Sequence, residues 1–273
     1  MNRLERTRLR NELERDVLRW VTGPDVEVPS LPSVVVELNS EIVRGRKSLL
    51  ALSRLVERDP LLSARLVRVA RSALYGPALG ELDIHQAMLR VGLEGIRDLA
   101  MALTIEHVFI AKRFARVTFE SCQRSFARAL CARALSAQLD LEPARVFLPA
   151  LLADIGEQLL FGALGDHQHE FGVLSDALIY ELVAELHPHV GVHVLSRWDF
   201  SQDHLDVARA HHADPEHARA MGPAVFATVV AERAVEAVSA GQATDDVFAL
   251  EGLEIERRVL DAIVGVARAA WGR

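Results

Sequence analysis

The sequence predicts an all-α protein, and three observations carry the prediction. Apolar residues recur at helical spacing almost throughout, and no run alternates β-branched residues as a strand would. Half of the 273 residues are hydrophobic, a quarter are charged, and proline and glycine are sparse, as in a folded chain rather than a disordered one.

A first amphipathic helix is expected from about Leu4 to Val21, with Leu9, Leu13, Val17 and Val21 on an i, i+4 stripe, ended by Gly23-Pro24. After the turn Pro29-Ser30-Leu31-Pro32, a short helix puts Val35, Leu38 and Ile42 inward, and another runs from about Ser48 to Arg58. Asp59-Pro60 then opens a helix with Leu62, Leu66, Val69 and Ala73 inward, since aspartate caps and proline suits the first helical position. Tyr75-Gly76-Pro77 breaks it. Asp83 with Gln86 reads as a capping box for a short helix ending near Gly92, followed by a longer one from about Leu93 to Lys112.

From about Arg116 to Asp140, apolar or small residues occupy nearly every face, which predicts a central helix buried on several sides. Further helices are expected near residues 143–164, 170–186, 188–198, 202–213, 217–239 and 252–271, with a loop at Gly241 to Asp246. No internal repeat is evident.

The formal net charge is −7, unevenly spread: residues 1–150 hold 23 Lys and Arg against 18 Asp and Glu, and residues 151–273 hold 8 against 20. The basic part lacks a dense cationic stripe with interleaved aromatics, so nucleic-acid binding is not expected. No run of about 18 apolar residues is evident, which argues against a membrane span. The first twenty residues mix Arg and Glu without the apolar core of a signal peptide, so a cytoplasmic location is expected. Cys122 and Cys131, nine apart in one predicted helix, lie roughly 13 Å apart along its axis, too far for a disulfide.

Nine of the eleven histidines fall between His167 and His217. His189 and His193 are spaced to share a metal, yet no glutamate follows the first as in an H-E-x-x-H hydrolase. His187 precedes Pro188 and is expected to cap or open a helix, and His211-His212 closes one. His167, His169, His204 and His217 read as solvated. Nucleophile elbows, phosphate-binding glycine loops and paired-cysteine zinc spacings are absent. Ser121, Ser125, Cys122 and Cys131 sit mid-helix as small packing residues.

Several segments in order resemble the HDOD family, the HD-related output domain of bacterial signalling proteins. They are "LPSVVVEL" from Leu31, "LVERDPLLSARLVRVARSALYG" from Leu55, "DIHQAMLRVGLEGIRDL" from Asp83, "LLADIG" from Leu151, "HPHVGVHVLSRW" from His187 and "ARAHH" from Ala208. The resemblance covers about residues 28 to 235. One departure is Arg71, where the family commonly has asparagine.

The resemblance implies a multi-helical HDOD fold: a small N-terminal helical lobe packed on a degenerate lobe related to HD-type metal phosphohydrolases. The implied divisions are an amphipathic helix at 1–24, an N-terminal lobe at 25–112, an HD-like lobe at 113–240, and a C-terminal loop and helix at 241–273. In HD hydrolases an early His, a His-Asp pair, later histidines and a final Asp hold one or two divalent metals. Here the corresponding positions are Arg124, Ala153-Asp154, His187, His211-His212 and Glu232.

A methyl group offers no lone pair, and arginine only donates, so Ala153 and Arg124 remove two ligands. At about 5 Å from a divalent ion, a guanidinium would repel it by roughly 6 to 7 kcal/mol at an effective dielectric of about 20. Arg124 is therefore expected to replace the metal's charge by pairing with Asp154, Glu232 or both. No cofactor, metal or catalytic residue is expected. The implied role is a non-catalytic regulatory protein acting on protein partners, with receiver, kinase or cyclic-dinucleotide modules met in trans, and with room for a small ligand or a homo-oligomer. The alternative is a metal-dependent phosphohydrolase using Asp154, His187, His211, His212 and Glu232 as an unusual ligand set.

Overall fold

Helical periodicity becomes eleven α-helices and no strand among the described residues. The computed structural model describes residues 3–23, 37, 48–57, 60–71, 75, 82–108, 113–166, 174–241, 261 and 263–265. The helices are α1 (Arg3–Val21), α2 (Leu49–Val56), α3 (Pro60–Ala70), α4 (Ile84–Val108), α5 (Ala115–Ser136) and α6 (Ala144–Leu152). They continue as α7 (Ile155–Asp166), α8 (Asp176–Arg197), α9 (Gln202–Ala210), α10 (Pro215–Met221) and α11 (Pro223–Ser239). The expected helix around Val35, Leu38 and Ile42, the Asp59 cap, the Gly76-Pro77 break, His167, His169 and most of the 241–273 segment lie outside the described residues.

The N-terminal stripe is used within the chain. Val17 and Val21 are fully buried and Leu13 packs beside them, while Arg10 reaches Glu185 and Glu181 on α8. α2 and α3 bury Leu52, Val56, Leu66 and Val69, and Ser63 Oγ donates to the Val56 carbonyl at 3.1 Å to close their junction. The capping box forms as expected: the Gln86 amide donates to Asp83 Oδ1 at 2.7 Å, and Gln86 Oε1 accepts from the Asp83 amide at 3.1 Å. Gly92, at φ 77°, breaks α4 where the sequence places a boundary, because a positive φ is cheap only for glycine. Arg90 donates to the carbonyls of Ala70 and Tyr75, satisfying the end of α3.

α5 is the central helix, packed against α4, α6, α7 and α11. Its small buried residues, among them Ser121, Ser125, Ala127, Ala129, Cys131 and Ala132, let those helices approach closely. Both cysteines are buried and no disulfide joins them. Arg133 joins the two parts of the chain: it meets Asp98 of α4 at 3.4 Å and lies over the rings of Tyr75 and Phe147.

Three expected boundaries are corrected. The helix expected at 143–164 is two helices with a turn at Ala153-Asp154. The helix expected at 217–239 divides at Gly222, whose φ of 141° a side chain would resist, and Pro223 starts α11. Conversely, the helices expected at 170–186 and 188–198 are one, since α8 carries Pro188 inside it and so His187 does not open a helix. Arg145–Gly165 is not an unbroken apolar run, since Arg145, Asp154 and Glu157 interrupt it, but by length and composition it is apolar enough to cross a membrane. Its most apolar window is 83% buried, which makes it core.

Candidate functional site

Asp154 occupies the turn between α6 and α7, and the next turn explains the "LLADIG" sequence. A Cβ at Gly156 would lie 2.1 Å from the His187 carbonyl oxygen and 2.5 Å from the Gly191 nitrogen. The glycine thus lets α7 press onto the α8 backbone, and this brings Asp154 to His187.

The charge beside Asp154 is Arg128, not Arg124. Arg128 is fully buried on α5, and its Nη1 donates to Asp154 Oδ2 at 2.6 Å and to a Glu232 carboxylate oxygen. Its Nε donates to the Ala150 carbonyl at 2.9 Å and its Nη2 to Ser125 Oγ at 3.3 Å, so every guanidinium nitrogen has an internal acceptor. Burial works against the charge, but Asp154 and Glu232 outweigh it and hold the guanidinium above its ordinary pKa. Burial would likewise raise the Asp154 carboxyl, yet Arg128 and then His211 keep it well below the usual carboxylate range.

Arg124, one turn earlier on α5, pairs instead with Glu157, its Nη2 lying 3.3 and 3.5 Å from the carboxylate oxygens. Glu157 also accepts from the Ser121 hydroxyl. Its pKa is raised, by burial first and then by the charge of Asp154. Ser121 and Ser125 are therefore polar partners of the site as well as small packing residues. Ala153 is fully buried and offers only a methyl group.

Two imidazoles face the other oxygen of Asp154, and a third joins them through His187. His211 Nε2 lies 2.8 Å from Oδ1 and His187 Nε2 3.6 Å from it. His187 Nε2 is 3.2 Å from His211 Nε2 and 3.1 Å from His212 Nε2. The backbone sets which ring nitrogen carries hydrogen. His187 Nδ1 faces the carbonyls of Val183 at 3.0 Å and Ala184 at 3.1 Å, and His211 Nδ1 faces that of Ala208 at 3.1 Å. Carbonyls only accept, so both Nδ1 atoms donate, which turns Nε2 of each ring toward Asp154 Oδ1. Pro188 contributes here: lacking an N–H, it leaves the Ala184 carbonyl without its helical donor, and His187 supplies one.

Burial lowers the pKa of His187, and desolvation within the cavity brings that of His212, exposed at its mouth, to about 4, so both are neutral near pH 7. Asp154, His187, His211 and His212 each offer a ligand atom, all within 4.8 Å of one another, and the group includes neither His189 nor His193. Ring nitrogens and a carboxylate oxygen this close need a proton or a metal ion between them. A cavity of about 410 Å³ opens over Asp154, His187, His212 and Glu232, and Arg124, Glu157 and Glu236 also line it.

The expected site residues Asp154, His187, His211, His212 and Glu232 thus meet, Ala153 adjoins them, and Arg124 lines the same cavity with a different partner. Arg128 was missed. Its signal is the run Ser125-Phe126-Ala127-Arg128-Ala129-Leu130, in which a single charge within an otherwise uncharged stretch of the helix calls for an internal partner.

A family model described as the HDOD domain matches residues 28–214. Glu232 comes from α11, beyond that match. A crystal structure from Shewanella amazonensis SB2B, described as a candidate metal-dependent phosphohydrolase, is 22% identical. It aligns over 96% of this chain and 98% of its own, with a TM-score of 0.75. A second, described as a candidate signal transduction protein from Marinobacter aquaeolei VT8, is 18% identical over 95% of this chain and 64% of its own, with a TM-score of 0.56. An uncharacterised protein of Treponema pallidum (strain Nichols) is 24% identical over 198 residues, 69% of this chain; the chain spans 38% of that relative's length.

Proposed function

The chain belongs to the HDOD family, and on that premise we propose that it is a non-catalytic regulatory module of bacterial signalling that acts by binding a protein partner in the cytoplasm. The observation that carries this reading is the buried Arg128 between Asp154 and Glu232. A two-metal hydrolase needs exchangeable ions that polarise a phosphoryl oxygen and activate water. A guanidinium whose nitrogens are all committed to Ser125, Ala150, Asp154 and Glu232 does neither. Receiver, kinase or cyclic-dinucleotide modules acting in trans are the partners this role calls for. Assays of the purified protein with phosphodiester and cyclic-dinucleotide substrates and added Mn, Fe or Zn should give no turnover, and turnover would overturn the reading. Affinity capture with Asp154→Ala and with residues 1–22 deleted would then locate the working surface.

A second reading, metal-dependent phosphohydrolase, is favoured by one observation, the convergence of Asp154, His187, His211 and His212. These residues fit a divalent ion: two of the three imidazoles have their tautomer set by backbone carbonyls, and the fourth donor is a carboxylate oxygen. A bound ion would supply Lewis acidity toward a phosphoryl oxygen and lower the pKa of water. The chain's own contribution is to orient His187 through Val183 and Ala184, to orient His211 through Ala208, and to hold Asp154 ionised through Arg128. The opposite side, with Ala153 and the guanidinium, does not fit an ion.

A further inference from the structure

Asp154 is shared between two sides of the centre. Its Oδ2 faces the Arg128 guanidinium, and its Oδ1 faces His187 and His211. A carboxylate placed this way serves two cations, as in two-metal centres, but here one of the two is a side chain. That side chain is fixed: Arg128 is fully buried, tied by Nε to Ala150 and by Nη2 to Ser125, and closed off by Glu232. Beside it, Ala153 supplies no donor atom.

The other side has a different character. Its donors are three imidazole nitrogens and one carboxylate oxygen, a set suited to a borderline first-row transition dication such as Zn or Co. Mg and Ca prefer oxygen cages. Charge count agrees. The cavity wall carries Asp154, Glu157, Glu232 and Glu236 against Arg124, with Arg128 behind, which leaves the formal charge that a single divalent ion would neutralise.

We propose that this is a one-ion centre, in which Asp154, His187, His211 and His212 hold a single transition dication and the Arg128 guanidinium stands permanently as its second cation. The inference rests on the ion-binding part of the second reading and is independent of turnover. Its physical consequence is a cross-link, because the ion ties the α6–α7 turn to α8 and to the end of α9. Occupancy therefore stiffens the junction of these elements, which suits a ligand-responsive regulator as well as an enzyme.

The test is metal stoichiometry on the full chain, stripped with EDTA, reloaded with Zn(II) or Co(II), desalted and measured by elemental analysis, with Co(II) absorption as a second readout. The expected result is one equivalent, a higher melting temperature on loading, and no binding by His187→Ala. Ala153→His alone should still take one equivalent, whereas Ala153→His with Arg128→Ala should take two. Two equivalents in the unaltered protein, or in Ala153→His with Arg128 kept, would overturn the role given to Arg128 while leaving ion binding standing. If the double variant does not fold, as judged by circular dichroism, the Ala153→His result decides. No bound Zn(II) or Co(II) in the unaltered protein would overturn the ion-binding reading and this inference together.

Discussion

The decisive residue is Arg128. Among the described residues it is the largest fully buried side chain, and its cost in desolvation is offset by two carboxylates and two further acceptors. Arg128→Ala would leave Asp154 and Glu232 buried without their cation, and should destabilise the fold by about 3 to 5 kcal/mol, measured as a shift in urea midpoint. Arg124→Ala, which removes a looser pair whose side chains are 31% and 19% exposed, should cost less, about 1 kcal/mol. The histidines set the response to acid. An unfolded imidazole takes its proton near pH 6.5, but burial holds His187 below that value and desolvation in the cavity holds His212 at about 4. Between those pH values the unfolded state binds more protons, so stability should fall as pH drops from about 6.5 to 4. The lowered Asp154 carboxyl contributes stability that is present above about pH 4 and lost as pH falls further through its folded value. Urea midpoints of EDTA-stripped protein between pH 7 and 4 should show this decline, and His212→Gln should flatten it.

At the scale of elements, the site depends on how closely α7 meets α8. Gly156→Ala places a methyl group against the His187 carbonyl and Gly191 nitrogen, backbone atoms that cannot rotate away. It should cost about 3 kcal/mol, the upper end for overpacking, and displace His187 from Asp154. Gly162, on the same helix, has open space around its Cβ position. Gly162→Ala should therefore stabilise by about 0.5 to 1 kcal/mol through helix propensity, and thermal melts of the two variants should move in opposite directions. Pro188 shows why the α8 boundary misled the sequence reading. A proline mid-helix leaves a carbonyl without its donor, and here the His187 ring takes that role, so the helix continues where the local signal says stop.

Across the whole molecule, α1 belongs to the same core as the site-bearing helices. Val17→Ala, at a fully buried position, should cost about 2 kcal/mol, whereas Leu50→Ala, 53% exposed, should change stability by about 0.5 kcal/mol or less, both read from urea unfolding. The sequence by itself determined the all-α class, the capping box at Asp83 and Gln86, and the break at Gly92, because each depends on residues within a turn or two of one another. Order of motifs also brought Asp154, His187, His211, His212 and Glu232 into one list, through likeness to a family rather than through spacing. Tertiary structure alone decided which arginine meets them. Arg124 and Arg128 lie four residues apart on one face of α5, about 6 Å along the helix, so local sequence does not say which of them meets Asp154. The turn that faces Asp154 is chosen by the packing of α5 against α6 and α11, contacts made between segments far apart in the chain.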